Sequence, residues 1–98
     1  MKPCKRIEIV MERAQLKKLL GVLDGADTGG YTVLFGAAGS GDRGPRRADD
    51  VTETDENCVV VVAAQDTAAA DRIVEAVRPL LTRFGGMCLV SDAHWVVH

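Results

Sequence analysis

The chain has 98 residues, of which 47% are hydrophobic, and a formal net charge of −2. This length leaves room for one domain, so we expect residues 1–98 to form a single unit. The small negative charge gives no general attraction to nucleic acid or to an anionic membrane, and no apolar run approaches the ~20 residues that cross a bilayer. The first residues lack the pattern of a secretory signal. Three cysteines without close pairing, Cys4, Cys58 and Cys88, favour a reducing cytoplasm over a disulfide framework or a zinc site.

The first part of the chain predicts a strand, a helix and a second strand. Residues 5–11 alternate with period two, as in a half-buried strand. Leucines then recur with the i, i+3, i+4, i+7 spacing of an amphipathic helix, at Leu16, Leu19, Leu20 and Leu23. Gly25 and the pair Gly29-Gly30 end that helix, and residues 31–35 form a strand rich in β-branched and aromatic side chains.

The second part predicts the same order of elements. Residues 58–63 form an apolar strand, and an N-cap at residue 66 or 67 begins a second helix. The apolar stripe of this helix is Ile73, Val74, Val77, Leu80 and Leu81. Pro79 lies inside the stripe and is expected to kink the helix. A fourth strand covers residues 87–90, and the tail at 93–98 is interpreted as a short fifth strand.

This order of elements predicts an α+β fold, the ferredoxin-like βαββαβ sandwich, with a four-stranded antiparallel sheet and two helices on one face. The third strand is apolar on both sides, whereas a half-solvated strand alternates apolar with polar residues. The second face of the sheet is therefore expected to meet another copy of the chain. Arg6 and Glu8 point to that face and are expected to pair across the interface or to lie at its rim. An uncovered valine strand in a monomer is the alternative.

The connection at residues 36–56 carries the side chains best suited to an anion. Its glycines let backbone N–H groups form an anion-binding nest, and Arg43, Arg46 and Arg47 add guanidinium groups. The G-K-[ST] of a P-loop is absent, and a flexible hairpin kept soluble by its arginines is the alternative. Structureless connections longer than about 12–15 residues are usually functional or disordered, which favours a loop that an anion orders to engage a partner. Its acidic end is interpreted as a solvated stretch rather than a metal site.

Two further segments are candidates for ligand contact. A helix C-cap accounts for one glycine of Gly85-Gly86, and the pair also lets backbone approach the edge of a ligand base. His94 and Trp95 either stack on a ligand or pack the tail against a neighbour, and packing is favoured. The histidines are terminal and no nucleophile–base spacing occurs, so we expect no catalytic residues and no resident cofactor.

With these elements in place, the chain resembles the PII signalling superfamily over nearly its whole length. The resemblance lies in the order of elements, the Gly30-Tyr31-Thr32-Val33 entry to the second strand, the long T-loop and the Phe84-Gly85-Gly86 turn. It is most similar to the PII-like proteins of inorganic-carbon metabolism, those associated with bicarbonate transporters or carboxysomes. Their G-x-R-x-x-R pattern matches residues 41–46.

The resemblance implies a cytoplasmic homotrimer that binds adenine nucleotides and, in the carboxysome-linked members, bicarbonate, with the nucleotides in three clefts between subunits. It also implies a protein target, a transporter or a carboxysome component, that the T-loop engages. The residues implied to hold phosphates are Gly39, Ser40, Gly41, Arg43 and Arg46. Those implied to meet the adenine are Gly85, Gly86 and Met87.

Departures from the nitrogen-sensing members narrow the expected ligands. Arg43 is followed by Gly44 rather than by the glutamine that helps bind Mg-ATP and 2-oxoglutarate, and the loop-tip tyrosine is missing. The basic C-terminal residues that contact nucleotide phosphates are also absent, so ADP or AMP is expected rather than ATP. Three alternatives stay open: a trimeric metal-tolerance protein of the copper-tolerance type, another ferredoxin-like ligand-binding module, and a small enzyme such as an acylphosphatase.

Overall fold

The computed structural model describes residues 1–26, 28–37, 39–41, 44–46 and 56–98. A 3-10 turn at Arg13–Gln15 leads into helix α1 at Leu16–Gly25, and the described residues form a second α-helix, α2, at Thr67–Phe84. The strands of the described residues are β1 Lys2–Glu12, β2 Thr32–Ala37, β3 Gly39–Gly41, β4 Gly44–Arg46, β5 Asn57–Ala64 and β6 Met87–Trp95.

Four of these strands form one antiparallel sheet in the order β2-β5-β1-β6. Each strand–helix–strand unit therefore joins two strands that have another strand between them, and right-handed crossovers of this kind place both helices on the same side of the sheet. The α+β ferredoxin-like sandwich predicted from the sequence is confirmed.

The core lies between the helices and one face of this sheet. Alternate residues of β1 and β5 point into it, so that Ile9 stands opposite Val60 in the register and both are fully buried. The helices contribute the leucine and aliphatic stripes that the spacing predicted. The buried core residues are Ile7, Ile9, Met11, Leu19, Leu23, Cys58, Val60, Val62, Ala64, Ala70, Ile73 and Val77.

Helix α2 has a defined beginning and end. Asp66 is the N-cap, and its Oδ1 accepts a hydrogen bond from the Ala69 backbone N–H at 2.8 Å, a contact worth about 1 kcal/mol in typical helices. Gly85 ends the helix at a φ of 78°. The helix continues through Pro79, which lies on its exposed side, as one element.

Two sequence-based expectations are wrong. The tail does not form a fifth strand, because β6 continues to Trp95 and pairs with the start of β1, with Lys2 opposite Trp95. The long connection is not without regular structure, since β3 and β4 pair as a separate two-stranded ladder. Both differences arise because strand pairing can extend through polar or glycine-rich residues when a complementary backbone edge is available. Neither helix described is long and apolar enough to span a membrane.

Candidate functional site

The register brings the two groups of predicted site residues to the same end of the sheet. Glu12 at the end of β1 lies opposite Asn57, which also pairs with Ala37 at the end of β2. Val10 pairs with Met87 at the start of β6. Since β2 and β6 are separated by two strands, the loop base and the glycine turn lie roughly 14 Å apart across the sheet.

The glycine turn has a structural requirement at both positions. Gly85 is buried and its N–H donates to the Leu81 carbonyl oxygen at 2.9 Å, closing the helix. Gly86 has a φ of 116°, and a Cβ there would collide with the Val10 carbonyl oxygen. Close approach of two backbones therefore accounts for the second glycine, for which the sequence had suggested ligand contact. Gly86 and Met87 are exposed beside it.

Four of the five predicted phosphate ligands lie in the β3–β4 ladder of the loop. In its register Gly39 lies opposite Arg46, Ser40 opposite Pro45, and Gly41 opposite Gly44. The backbone positions of Gly39, Ser40, Gly41 and Arg46 are thus brought together. Arg43 lies outside the described residues.

A group of residues that the sequence did not single out ties the base of this loop. Glu56 Oε1 accepts a hydrogen bond from the Gly36 backbone N–H at 3.1 Å and lies 3.3 Å from Arg13 Nη1. The Arg13 backbone N–H donates to the Glu56 carbonyl oxygen at 2.7 Å, and the Arg13 guanidinium carbon lies 4.6 Å from the centre of the Phe35 ring. We call Arg13, Phe35, Gly36 and Glu56 the loop-base clasp. Arg13 and Glu56 are 43 positions apart in the chain, so their contact leaves no local sequence signal.

The face of the sheet opposite the helices is also apolar, and we call it the open face. Leu34, Met87, Leu89 and Trp95 on this face are each 46–54% exposed. Its apolar members, placed by the strand registers, are Cys4, Val10, Leu34, Val59, Val61, Ala63, Met87, Leu89, Ala93 and Trp95.

The two charges expected on this face form an ion pair within the chain. Arg6 Nη2 lies 2.7 Å from Glu8 Oε1, two residues along the same strand. Within the chain the two charges therefore balance each other, and the expectation that they pair between copies or lie at the rim of an interface stays a prediction. The open face therefore combines an apolar surface with one internally neutralised pair.

A groove of about 760 Å³ lies at the other end of the sheet. It lies beside the start of β1, the end of β5 and the end of β6. Its lining residues are Lys2, Pro3, Cys4, Thr28, Gly29, Gly30, Tyr31, Thr32, Val61, Ala63, Ala64, Gln65, Asp66 and Trp95. Trp95, interpreted from the sequence as a stacking or packing residue, is half exposed here. Among the described residues, no predicted phosphate or adenine ligand lines the groove.

Titratable chemistry in the described part of the chain is limited. Burial raises the pKa of the Cys58 thiol, an effect that the nearby Arg13 charge partly offsets, and burial likewise raises the pKa of Cys88. A raised thiol pKa keeps these side chains neutral and poorly nucleophilic. The described residues contain no group of three or more His, Cys, Asp or Glu side chains placed to hold a metal ion.

The sequence matches one known protein family. The family model described as nitrogen regulatory protein P-II matches residues 4–97. Among curated proteins, none matches the chain by sequence.

Solved structures share the fold. CPII, a nitrogen regulatory PII-like protein from Thiomonas intermedia K12 bound to ADP, AMP and bicarbonate, aligns with a TM-score of 0.82 at 25% identity, covering 95% of this chain and 88% of CPII. CPII bound to ADP and bicarbonate aligns with a TM-score of 0.81 at 24% identity and the same coverage. A PII-like signalling protein from Thermus thermophilus aligns with a TM-score of 0.78 at 24% identity, covering 97% of this chain and 91% of the other.

Proposed function

Since the chain belongs to the nitrogen regulatory protein P-II family, we propose that it is a non-enzymatic cytoplasmic regulator that forms a trimer and binds ADP or AMP between its subunits. The observation that carries the proposal is the alignment of 95% of the chain with CPII structures that hold ADP, AMP and bicarbonate. The family match favours this interpretation over the copper-tolerance and acylphosphatase alternatives.

The open face supports the assembly. A monomer rarely leaves a contiguous apolar surface of this kind in water, and a symmetric contact between copies is the usual way to cover one. Burying a large apolar side chain contributes about 1.5–3 kcal/mol when it is complete. Leu34, Met87 and Leu89 are about half exposed in the single chain, so each has about half of that contribution left to gain.

The loop-bearing end of the sheet supports anion binding. Backbone N–H groups of Gly39, Ser40 and Gly41, together with the guanidinium groups of Arg43 and Arg46, are donors suited to phosphate oxygens. On the other side of the proposed cleft, Gly85, Gly86 and Met87 meet the adenine. A di- or monophosphate is expected rather than a triphosphate, because Gly44 follows Arg43 where the nitrogen-sensing members carry the glutamine that helps bind Mg-ATP.

We further propose that bicarbonate is a second regulatory ligand, because CPII binds it together with ADP. In this scheme the T-loop, at about residues 36–56, changes its shape with the bound ligands and engages a protein target. The target is a transporter or a carboxysome component, so that the chain controls inorganic-carbon uptake or fixation.

Calorimetric titration with AMP, ADP, ATP, 2-oxoglutarate and bicarbonate tests the ligand assignment. We expect micromolar binding of AMP or ADP, weakened about ten- to a hundredfold by Arg43→Ala and by Arg46→Ala, the loss of one charge-assisted hydrogen bond each. Arg78→Ala is the matched control, because Arg78 is an exposed arginine of α2 paired with Glu75. Absence of adenylate binding overturns the proposal, and equal affinity in all three variants overturns the phosphate roles.

A further inference from the structure

The loop-base clasp satisfies a backbone group that the sheet leaves unpaired. The β2–β5 ladder shifts register between Phe35, opposite Cys58, and Ala37, opposite Asn57, so Gly36 is the extra residue of a bulge. Its φ of 76° is a conformation that favours glycine. The Gly36 N–H has no place in the ladder and donates instead to the Glu56 carboxylate at 3.1 Å.

The setting of Glu56 strengthens this contact. Its side chain is 20% exposed and that of Arg13 is 34% exposed, so water screens the pair less than it screens a fully exposed one. A hydrogen bond from a backbone N–H to an ionised carboxylate is stronger than one between neutral groups. Glu56 directly precedes β5. Its carboxylate therefore holds Gly36, near the end of β2, and Arg13, at the start of the 3-10 turn, beside the beginning of β5.

We propose that Glu56 is a positioning residue for nucleotide binding. Gly36 stands one residue before Ala37, the last residue of β2 that pairs in the main sheet. The carboxylate that fixes this bulge therefore also sets the direction in which the chain leaves toward Gly39–Gly41 and, across the β3–β4 ladder, Arg46. Geometry that is set before binding lowers the conformational entropy lost when a ligand binds. This inference rests on the proposed adenylate binding.

The test compares Glu56→Ala and Glu56→Gln with Glu75→Gln, an exposed glutamate of α2 as control. Two quantities are measured in each protein: the hydrogen-exchange rate of the Gly36 amide without ligand, and the Kd for ADP by calorimetry. Glu56→Ala removes the acceptor, so we expect the Gly36 amide to exchange at least about tenfold faster and ADP to bind about tenfold more weakly. Glu56→Gln keeps an acceptor without the charge, so a smaller change in the same direction is expected, about threefold in each quantity.

The outcomes separate this inference from the proposed function. A wild-type protein that binds neither ADP nor AMP overturns both, and if it binds AMP alone the same variants are compared with AMP. A wild-type protein that binds ADP while Glu56→Ala binds it equally well overturns the positioning role alone, even if Gly36 exchanges faster. Unchanged Gly36 exchange in both Glu56 variants also overturns it. Glu56→Gln, the milder change, supplies both measurements if Glu56→Ala does not fold.

Discussion

Both faces of the main sheet carry apolar side chains, but the helices cover one face and leave the other exposed. Along β5, Cys58, Val60 and Val62 are buried under the helices, while Val59 and Val61 alternate with them onto the open face. Hydrophobicity alone does not separate the two sets. The difference lies in topology, because both crossovers place their helices on one side. The open face is therefore apolar but left uncovered within the single chain.

The largest expected effect comes from placing a charge on the covered face. In Val60→Asp a carboxylate replaces a fully buried side chain without any partner, and the cost of several kcal/mol approaches the total stability of a small domain, about 5–15 kcal/mol. We expect loss of the cooperative thermal transition followed by circular dichroism.

The neighbouring residue supplies the matched variant. Val61→Asp places the same charge on the open face, where the isolated chain leaves it in contact with water, so the chain is expected to fold but not to assemble. Sedimentation then gives a species near 10.5 kDa, against three times this mass for the wild type. Equal damage in both variants would show that the open face is part of the folding core.

A smaller effect is expected from cavities on the two faces. Leu23→Ala removes a fully buried side chain of α1, and such changes cost about 2–5 kcal/mol. Leu89→Ala on the open face is expected to cost less than about 1 kcal/mol in the Val61→Asp background, because Leu89 is half exposed in the single chain. Urea unfolding of both variants in that background measures the difference, and similar losses would contradict the assignment of the faces.

The Gly85-Gly86 turn between α2 and β6 allows a similar comparison for the backbone. Gly86→Ala introduces strain at a φ of 116° and a collision with the Val10 carbonyl oxygen, and the strain alone costs about 1–3 kcal/mol. Gly29→Ala is the control, since Gly29 has a φ of 80° but no neighbouring atom within 4 Å of the added Cβ, and left-handed strain alone costs about 1–2 kcal/mol. Thermal unfolding is expected to place Gly86→Ala below Gly29→Ala. If Gly29→Ala were the less stable variant, the backbone at Val10 would have to move away from the added Cβ of Gly86→Ala.

The sequence predicts most of the main sheet and both described helices. The period of two at Ile7 and Ile9 and the leucine spacing of α1 report which residues face a core, because periodicity and burial have the same physical origin. The end of β6 was missed because Ser91 and Asp92 resemble a strand boundary. In the structure Asp92 forms an ion pair with Lys5, a residue 87 positions away.

The candidate site is predicted less completely than the fold. Gly85 and Gly86 were identified from composition, but the reason for Gly86, the approach of the Val10 backbone, exists only in the folded chain. Glu56 was interpreted as part of a solvated acidic stretch, because a carboxylate that accepts from a bulged backbone N–H looks the same in sequence as one in water. Contacts that depend on long-range pairing leave no local pattern.

The cysteines offer the least disruptive probe of the two faces. Cys58 and Cys88 lie on the covered face and Cys4 lies on the open face. At pH 8 we expect iodoacetamide to modify Cys4 first in Val61→Asp. Cys58 is fully buried and is expected to react only when the fold opens, at a rate at least about a hundredfold lower than that of Cys4. In the wild type a neighbouring copy is expected to slow Cys4 as well. Mass spectrometry of the digested protein gives each rate, and fast labelling of Cys58 would contradict the burial.

The same thiols predict a small dependence of stability on pH. Burial raises the pKa of Cys58 and Cys88 in the folded chain, so the unfolded chain loses these protons first as the pH rises. Their contribution to stability is therefore complete below the unfolded value of about 8.5 and declines as the pH rises through the folded pKa. The free energy of unfolding in urea, compared at pH 7.5 and pH 10, is expected to fall less for Cys58→Ala than for the wild type. An equal fall in the two proteins would mean that the covered face does not hold the Cys58 thiol in the neutral form.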